Sequence, residues 1–284
     1  MENLDMQNQD LDELLGDSIA DGEDSLNEEK VSELFPIEDG SKYVNIDLLK
    51  ILISKYYMGG TIDSALYDNS DKLVLIGVDN TLTIYCKIES RSKVMDYSGK
   101  FGIFNTSQVL SLLNLLSGKN KLEFLEDHFT FTNLTDEVNV ELNIADESVS
   151  ENYKLPNPEK LPKEYEMVIN LGGDFIDKAL TSIKALSKEK LCYFHFKKGV
   201  PYFSVGDKAS KSNKINLNLT NYGEFAEYST ELRFLSSFVK NMFESIKNSD
   251  KVTIKLSVLG LMVVEATDEN GKYTYYLGSL DGEE

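Results

Sequence analysis

The sequence predicts an α+β protein made of two duplicated domains, each with two helices packed on an antiparallel sheet. Three observations predict it. The order short strand, helix, three strand pieces occurs at residues 98–144, and its helix and strand pieces return at 229–280. A further amphipathic segment precedes each copy, at 45–57 and 173–187, so the halves share an order of elements at a spacing of about 130 residues. Three of the five prolines, Pro156, Pro158 and Pro162, gather in the stretch between the copies. Self-similarity of this kind marks two copies of one fold, stacked or joined edge to edge.

The elements follow in chain order. Residues 1–40 hold fourteen acidic side chains against Lys30 alone, a charge of −13 within a total of −19. So acidic a stretch, poor in aromatics, buries too little apolar surface to fold alone and reads as a disordered extension. Two short apolar pieces, 11–15 and 31–37, interrupt it. The first domain spans 41–151. Asn45 can cap a helix whose apolar positions Leu48, Leu49, Leu52 and Ile53 recur at helical spacing, with Lys50, Ser54 and Tyr57 on the other side and Gly59-Gly60 ending it. Strands follow at 73–78 and 82–88 with a turn at Asp79-Asn80, then strand 99–104, helix 106–117 and strands near 122–125, 129–132 and 138–144. Proline can neither continue a helix nor serve a central strand, so 152–164 reads as an extended linker.

The second domain, 165–284, opens with strand 165–171 and a helix that buries Phe175, Ile176, Ala179, Leu180, Ile183 and Leu186. Its outer face carries Asp174, Lys178, Thr181, Ser182, Lys184 and Lys188. Strands are expected at 191–196, 201–205 and 215–219. A helix is expected over 230–247 with Leu235, Phe238, Val239, Met242 and Ile246 as its core stripe and Arg233, Ser237, Lys240, Glu244 and Lys247 opposite; strands at 252–258, 261–266 and 272–277 complete the domain.

A chain of 284 residues with 41% hydrophobic side chains can fill two cores. No apolar run approaches the ~20 residues of a membrane span, and the acidic N-terminus is unlike a signal peptide, so a soluble, cytoplasmic protein is expected. Cys86 and Cys192 fall in apolar strand-like runs and read as buried small hydrophobes. His128 and His195 sit in similar runs; Cys192 and His195 have a ligand-like spacing but point to opposite faces of a strand. Neither a phosphate-binding G-x-x-x-x-G-K-[ST] nor a G-x-S-x-G elbow occurs, and acidic pairs such as Asp268-Glu269 sit at turns. With no base beside a nucleophile, a non-enzyme without metal or cofactor is expected.

Charge becomes informative once located. Outside residues 1–40 the chain carries only −6, and 178–214 holds nine lysines against Glu189 and Asp207. A concentrated basic face on an acidic molecule binds phosphate locally. If the polar helix faces line one concave surface, Lys50, Lys55, Lys178, Lys184, Lys188, Arg233, Lys240 and Lys247 converge there. Lysines contact phosphates as point charges without reading bases, which makes such binding sequence-independent and salt-dependent.

Certain runs carry a resemblance: Val258-Leu259-Gly260-Leu261-Met262-Val263-Val264-Glu265, then Lys272-Tyr273-Thr274-Tyr275-Tyr276-Leu277, with Phe101-Gly102-Ile103-Phe104 entering the helix near 110–116. With the two-domain order, they make the chain similar to sliding clamps, the DNA polymerase processivity factors of tailed bacteriophages, and more distantly to proliferating cell nuclear antigen. The resemblance implies DNA-clamp domains in a homotrimeric ring closed head to tail, with helices lining a hole that encircles double-stranded DNA. It implies tethering of the replicative DNA polymerase by high effective concentration, a clamp loader, and a host-cell cytoplasmic setting. It also implies a pocket for partner peptides, built from Tyr275, Tyr276 and Leu277, Gly260 and Leu261, Leu155 and Pro156, and Val78 and Leu82. In related phage clamps that surface also recruits late-transcription factors.

Two features depart from the family pattern. Gln108, Ser111 and Asn114 stand where basic residues are expected on the second helix, and the acidic extension is additional. The extension either screens the ring from DNA or presents Leu34-Phe35 as a mimic of a partner peptide. The alternatives are a phage structural or assembly protein of duplicated β-rich domains, and a single-stranded DNA-binding protein. The latter needs aromatics interleaved with lysines, as at Tyr193, Phe194, Phe196, Lys197, Lys198 and Tyr202.

Overall fold

Each half of the chain lays down the same order of elements, the second adding one short strand, and the halves meet strand against strand. The computed structural model describes residues 40–135, 137–145, 153–197, 199–206, 213–225 and 231–280. The acidic extension, Gly40 apart, and Asn152 at the start of the linker lie outside these residues, as do Lys198, Lys208 and Lys211 of the basic stretch.

The first half runs β1 (Tyr43–Asn45), α1 (Ile46–Tyr57), β2 (Ala65–Asp68), β3 (Val74–Val78), β4 (Ile84–Ser90), β5 (Lys100–Ile103), α2 (Thr106–Leu113), β6 (Lys119–Leu125), β7 (His128–Thr132) and β8 (Asn139–Asn143). The second runs β9 (Met167–Leu171), α3 (Gly173–Ala185), β10 (Leu191–Lys197), β11 (Val200–Val205), β12 (Ile215–Asn218), β13 (Gly223–Phe225), β14 (Glu231–Leu235), α4 (Ser236–Ile246), β15 (Lys251–Ser257), β16 (Leu261–Thr267) and β17 (Gly271–Gly278). Between the halves, one 3₁₀ turn at Pro158–Lys160 interrupts an otherwise irregular segment. No helix among the described residues is long and apolar enough to cross a membrane.

The strands form antiparallel sheets in the orders β1-β6-β7-β8, β12-β11-β10-β14 and β13-β9-β15-β16-β17-β4-β3-β2-β5. The first order recurs in the second half as β9-β15-β16-β17, and β4-β3-β2-β5 recurs as β12-β11-β10-β14. The nine-stranded sheet exists because β17 pairs with β4, placing Tyr275 opposite Cys86 and Tyr276 opposite Tyr85. This seam joins the halves into one continuous sheet.

Local chemistry explains the helices. The Asn45 side chain accepts from the Leu48 N–H at the start of α1, and Met58 in the left-handed region closes it. Asn105, itself at positive φ, accepts from the Gln108 N–H to start α2. α1 packs on α2, α3 on α4, and α1 on α4 across the seam. Their apolar stripes enter one core with the inward positions of the sheets, including Leu52, Val109, Phe175, Phe243 and Tyr275. The buried Tyr56 hydroxyl bonds both Tyr67 and Thr106, each at 2.9 Å, tying α1 to β2 and α2.

The helix expected over 230–247 is corrected: the described part of its first turn is strand β14, and the helix begins at Ser236. Leu232 and Phe234 alternate into the core with a period of two before the pattern becomes helical. Arg233 therefore lies on a strand. Strands β1, β2 and β13 are additions, being only three, four and three residues long.

Candidate functional site

The basic residues expected to meet phosphate have unequal surroundings. Lys55 is corrected: it is only 8% exposed, at the seam between the halves. Its ammonium lies 3.3 Å from Asp268 Oδ2, donates to the Ser245 carbonyl at 2.8 Å and sits 4.6 Å above the Tyr273 ring. Asp268 in turn accepts from the Asn270 and Gly271 N–H groups and from the Tyr273 hydroxyl. The Tyr275 hydroxyl donates to the Lys55 carbonyl at 3.1 Å. A lysine so enclosed holds two halves together and has no face for DNA.

Lys50 is half-buried, pairing with Asp47 at 3.2 Å and donating to the Leu116 carbonyl at 3.0 Å. Lys178 pairs with Asp174 at 3.3 Å along α3, and Lys184 with Glu244 at 3.1 Å from α3 to α4. Exposed pairs of this kind are weak, so those ammoniums can exchange a carboxylate for a phosphate. Lys188 and Lys247 are exposed and have no ion-pair partner among the described residues. Arg233 is exposed in the middle of β14, where its carbonyl accepts from the Leu280 N–H.

The structure brings Lys184 and Lys240 together. With Lys190, which sequence reasoning missed, they line a cleft of about 410 Å³ between the end of α3 and the start of α4. Lys190 sits in the αβ connection, outside the helical periodicity that singled out the others. Glu189 shares the cleft and moderates its charge.

The expected peptide pocket divides by the period of two along β17. Tyr275 and Leu277 are fully buried on the helix side; Tyr275 bonds Ser245 and Lys55, so neither offers a surface to a partner. This corrects their assignment. Tyr276 faces outward, half-buried, and burial pushes its phenol pKa up, with Tyr165, Glu265 and Glu89 adding to the rise. Val78 is buried in a small outer cluster with Leu66 and Tyr153, against Ile76 and Tyr85. Leu155, Pro156 and Leu261 are half-buried, and Gly260 forms a turn at φ +84°.

Exposed apolar side chains gather near this end of the sheet. Gly278 N–H bonds the Thr83 carbonyl and Ser279 N–H the Gly260 carbonyl, so the end of β17 runs between two hairpin turns. Those turns present Leu82, Val258 and Leu259, the last 74% exposed, with Leu280 nearby. Val258, Leu259 and Leu280 were missed as site residues, although apolar side chains within a turn are themselves a signal.

Cys86 and Cys192 are buried, and burial pushes each thiol up to about 12. Cys192 lies in the core, whereas His195 bonds Ser204 on the other face, as strand geometry requires. Phe194 is also in the core, which removes it from any single-strand stacking surface.

The sequence matches no protein-family model and no curated protein. Its fold does match solved structures. One is the PCNA2–PCNA3 complex from Sulfolobus tokodaii, at TM-score 0.63 and 18% identity, covering 86% of this chain and 99% of that one. Another is proliferating cellular nuclear antigen from Entamoeba histolytica, at TM-score 0.63 and 16% identity, covering 84% and 97%. The chain has the proliferating cell nuclear antigen-like fold, an α+β arrangement of duplicated domains.

Proposed function

We propose that this chain is a sliding clamp: a non-catalytic ring of three copies that encircles duplex DNA, is placed there by a loader and tethers a DNA polymerase. One observation carries the reading. The chain joins its halves through β17 and β4 and leaves their counterparts, β8 and β12, as sheet edges without a neighbour among the described residues. A molecule that repeats one seam internally can repeat it externally, head to tail, until the ring closes. Linkage then comes from topology, so the weak phosphate contacts of Lys178, Lys184, Lys188, Lys240 and Lys247 suffice, with Arg233 at their margin. The exposed Leu82, Leu259 and Leu280 at the end of β17 suit short peptides with apolar anchors, from a polymerase or a late-transcription factor. The resemblance over 258–265 and 272–277 supports a bacteriophage replication system, in the host cytoplasm, as the setting.

The test is retention on DNA after loading. A clamp stays on a closed or nicked circle at high salt and leaves when one cut makes the DNA linear; equal loss from both forms would sink the proposal. Lysine contacts are read separately by short-duplex titrations at several salt concentrations. Replacing Lys188 and Lys247 together by Gln is expected to lower the salt slope by about two.

A further inference from the structure

The start of α4 repeats a joint that the first half closes and the second half leaves open. In the first half the Thr106 N–H bonds the Asp63 carbonyl at 3.0 Å; in the second the Ser236 N–H bonds the Lys190 carbonyl at 2.8 Å. Thr106 and Ser236 are therefore counterparts, as are Asp63 and Lys190. Val109 and Leu113 match Val239 and Phe243 along the helices that follow, which pairs Leu110 with Lys240. Tyr56 matches Ile183 on the preceding helices, which pairs Tyr57 with Lys184.

The first joint satisfies itself. Asn105 caps α2 by accepting from the Gln108 N–H. The Thr106 hydroxyl donates to the Asp63 carbonyl at 2.7 Å and bonds the Tyr56 hydroxyl at 2.9 Å. The second joint keeps the backbone bond and removes those partners. Leu235 stands where Asn105 caps, and no side chain caps α4. Ser236 is only 3% exposed, yet its hydroxyl has no hydrogen-bond partner among the described residues. The neighbouring Cys192 thiol gives its own bond to the Phe234 carbonyl at 3.7 Å. Lysine replaces Asp63, Tyr57 and Leu110 alike. Lys184, Lys190, Lys240 and Ser236 all line the cleft of about 410 Å³. An uncapped helix start offers free N–H groups and a partial positive charge, both suited to an anion.

We propose that this cleft is a discrete seat for one phosphate group, held by the ammonium groups of Lys184, Lys190 and Lys240 and by the N–H groups that open α4. Two carboxylates oppose it: Glu189 lines the cleft, and Glu244 holds Lys184 at 3.1 Å. Three cations and a helix start outweigh Glu189, and the exposed Lys184 pair exchanges readily. The seat differs from the contacts of Lys188 and Lys247, which are diffuse and screened by salt. It is saturable and prefers a tetrahedral oxyanion to chloride. The phosphate comes from a small anion or from the backbone of duplex DNA. The second source rests on the clamp reading above; the seat itself does not.

The experiment titrates the full chain with inorganic phosphate by calorimetry, at fixed ionic strength with chloride as the balancing ion. One saturable site per chain is expected. Lys190→Gln, at an exposed position, should weaken it about tenfold, and Lys72→Gln, exposed in the first half, less than about twofold. Leu235→Asn supplies the cap of the first half while keeping every lysine, and should weaken binding about fivefold in a chain that still folds. Should that variant fail to fold, Lys240→Gln reads the same seat from the helix and is expected to weaken binding about fivefold. No saturable binding, equal effects of Lys190→Gln and Lys72→Gln, or unchanged affinity in the folded third variant would overturn the seat. A short duplex identifies the source. Displacement of duplex by phosphate from wild type but not from Lys190→Gln assigns the seat to backbone phosphate; equal displacement assigns it to a small anion. Loss of retention on circles with phosphate binding intact would sink the clamp reading alone, and retention without saturable phosphate binding the seat alone.

Discussion

At the β17–β4 seam the helix side holds a buried ion pair, Lys55 with Asp268, and the outer side an aromatic pair, Tyr276 opposite Tyr85. At the β8 and β12 edges the chemistry changes sides. Buried positions along α1, Leu48, Leu49, Leu52, Ile53, Lys55 and Tyr56, recur along α3 as Phe175, Ile176, Ala179, Leu180, Ser182 and Ile183, which makes Ser182 the counterpart of Lys55. The β16–β17 ladder runs two pairs beyond the counterpart of Thr132–Asn139, and Asp268 follows it, so the shorter β7–β8 hairpin has no position for that acid. The charges at these edges, Glu141 and Lys214, lie instead on the outer side. The difference has a physical logic. A seam within one chain keeps both members of a buried pair together, whereas a seam between chains, as the proposed ring requires, must be able to part. Parting would strand a buried lysine without its carboxylate at a cost of several kcal/mol; charges at a wet rim part at little cost.

The largest expected effect attacks the permanent seam. Lys55→Ala leaves Asp268 buried beside Tyr273 without its cation and is expected to lower unfolding free energy by about 3–5 kcal/mol in denaturant titrations. A loss below about 1 kcal/mol would remove the contrast between the two seams. The next effect belongs to the open edges. Matching Val109 and Leu113 of α2 with Val239 and Phe243 of α4 makes Leu115 the counterpart of Ser245, yet Leu115 is 63% exposed. If α2 meets α3 of a second copy as α4 meets α1, Leu115→Ala weakens assembly by about 1–2 kcal/mol while the separated chain keeps its stability within about 0.5 kcal/mol. Unchanged assembly would remove α2 from that seam.

The smallest effect compares the two helix starts. Asp47 on α1 and Asp174 on α3 are counterparts, and both carboxyls are held below their ordinary range. The Gly118 N–H at 2.8 Å is the leading cause for Asp47, and the Lys178 ammonium for Asp174. A depressed carboxylate adds stability above its unfolded pKa of about 3.9, and that stability is lost as pH falls through the folded value. Asp47→Asn is therefore expected to cost a few tenths of a kcal/mol near neutrality and to flatten the decline below about pH 4. Asp174→Asn, on an exposed pair, should leave the acid limb nearly unchanged; equal effects would mean the Gly118 contact adds nothing.

Much of this architecture was legible in the sequence because its signals are local. Asn45, Gly59 and the stripe Leu48, Leu49, Leu52 and Ile53 define α1 without reference to any other residue. The 230–247 segment misled because Leu232, Phe234 and Leu235 fit a helical spacing as well as a strand one, and only pairing with β10 decides between them. Lys55 misled for a different reason. On its own helix it sits at the edge of the apolar stripe, and its carboxylate comes from Asp268, 213 residues later. Tyr275 and Leu277 were correctly placed on a strand, but the face they take depends on register with β4, which no single segment encodes.

The pairing of β17 with β4 has a consequence for how the chain is made. Cys86 leaves the ribosome 189 residues before Tyr275, its neighbour across the sheet. At 5–20 residues per second, the β4 edge waits on the order of ten to forty seconds for its partner. Once β8 has emerged as well, the nascent first half carries a bare edge at β4 and another at β8. Two nascent chains on one message could join through these edges before either is finished.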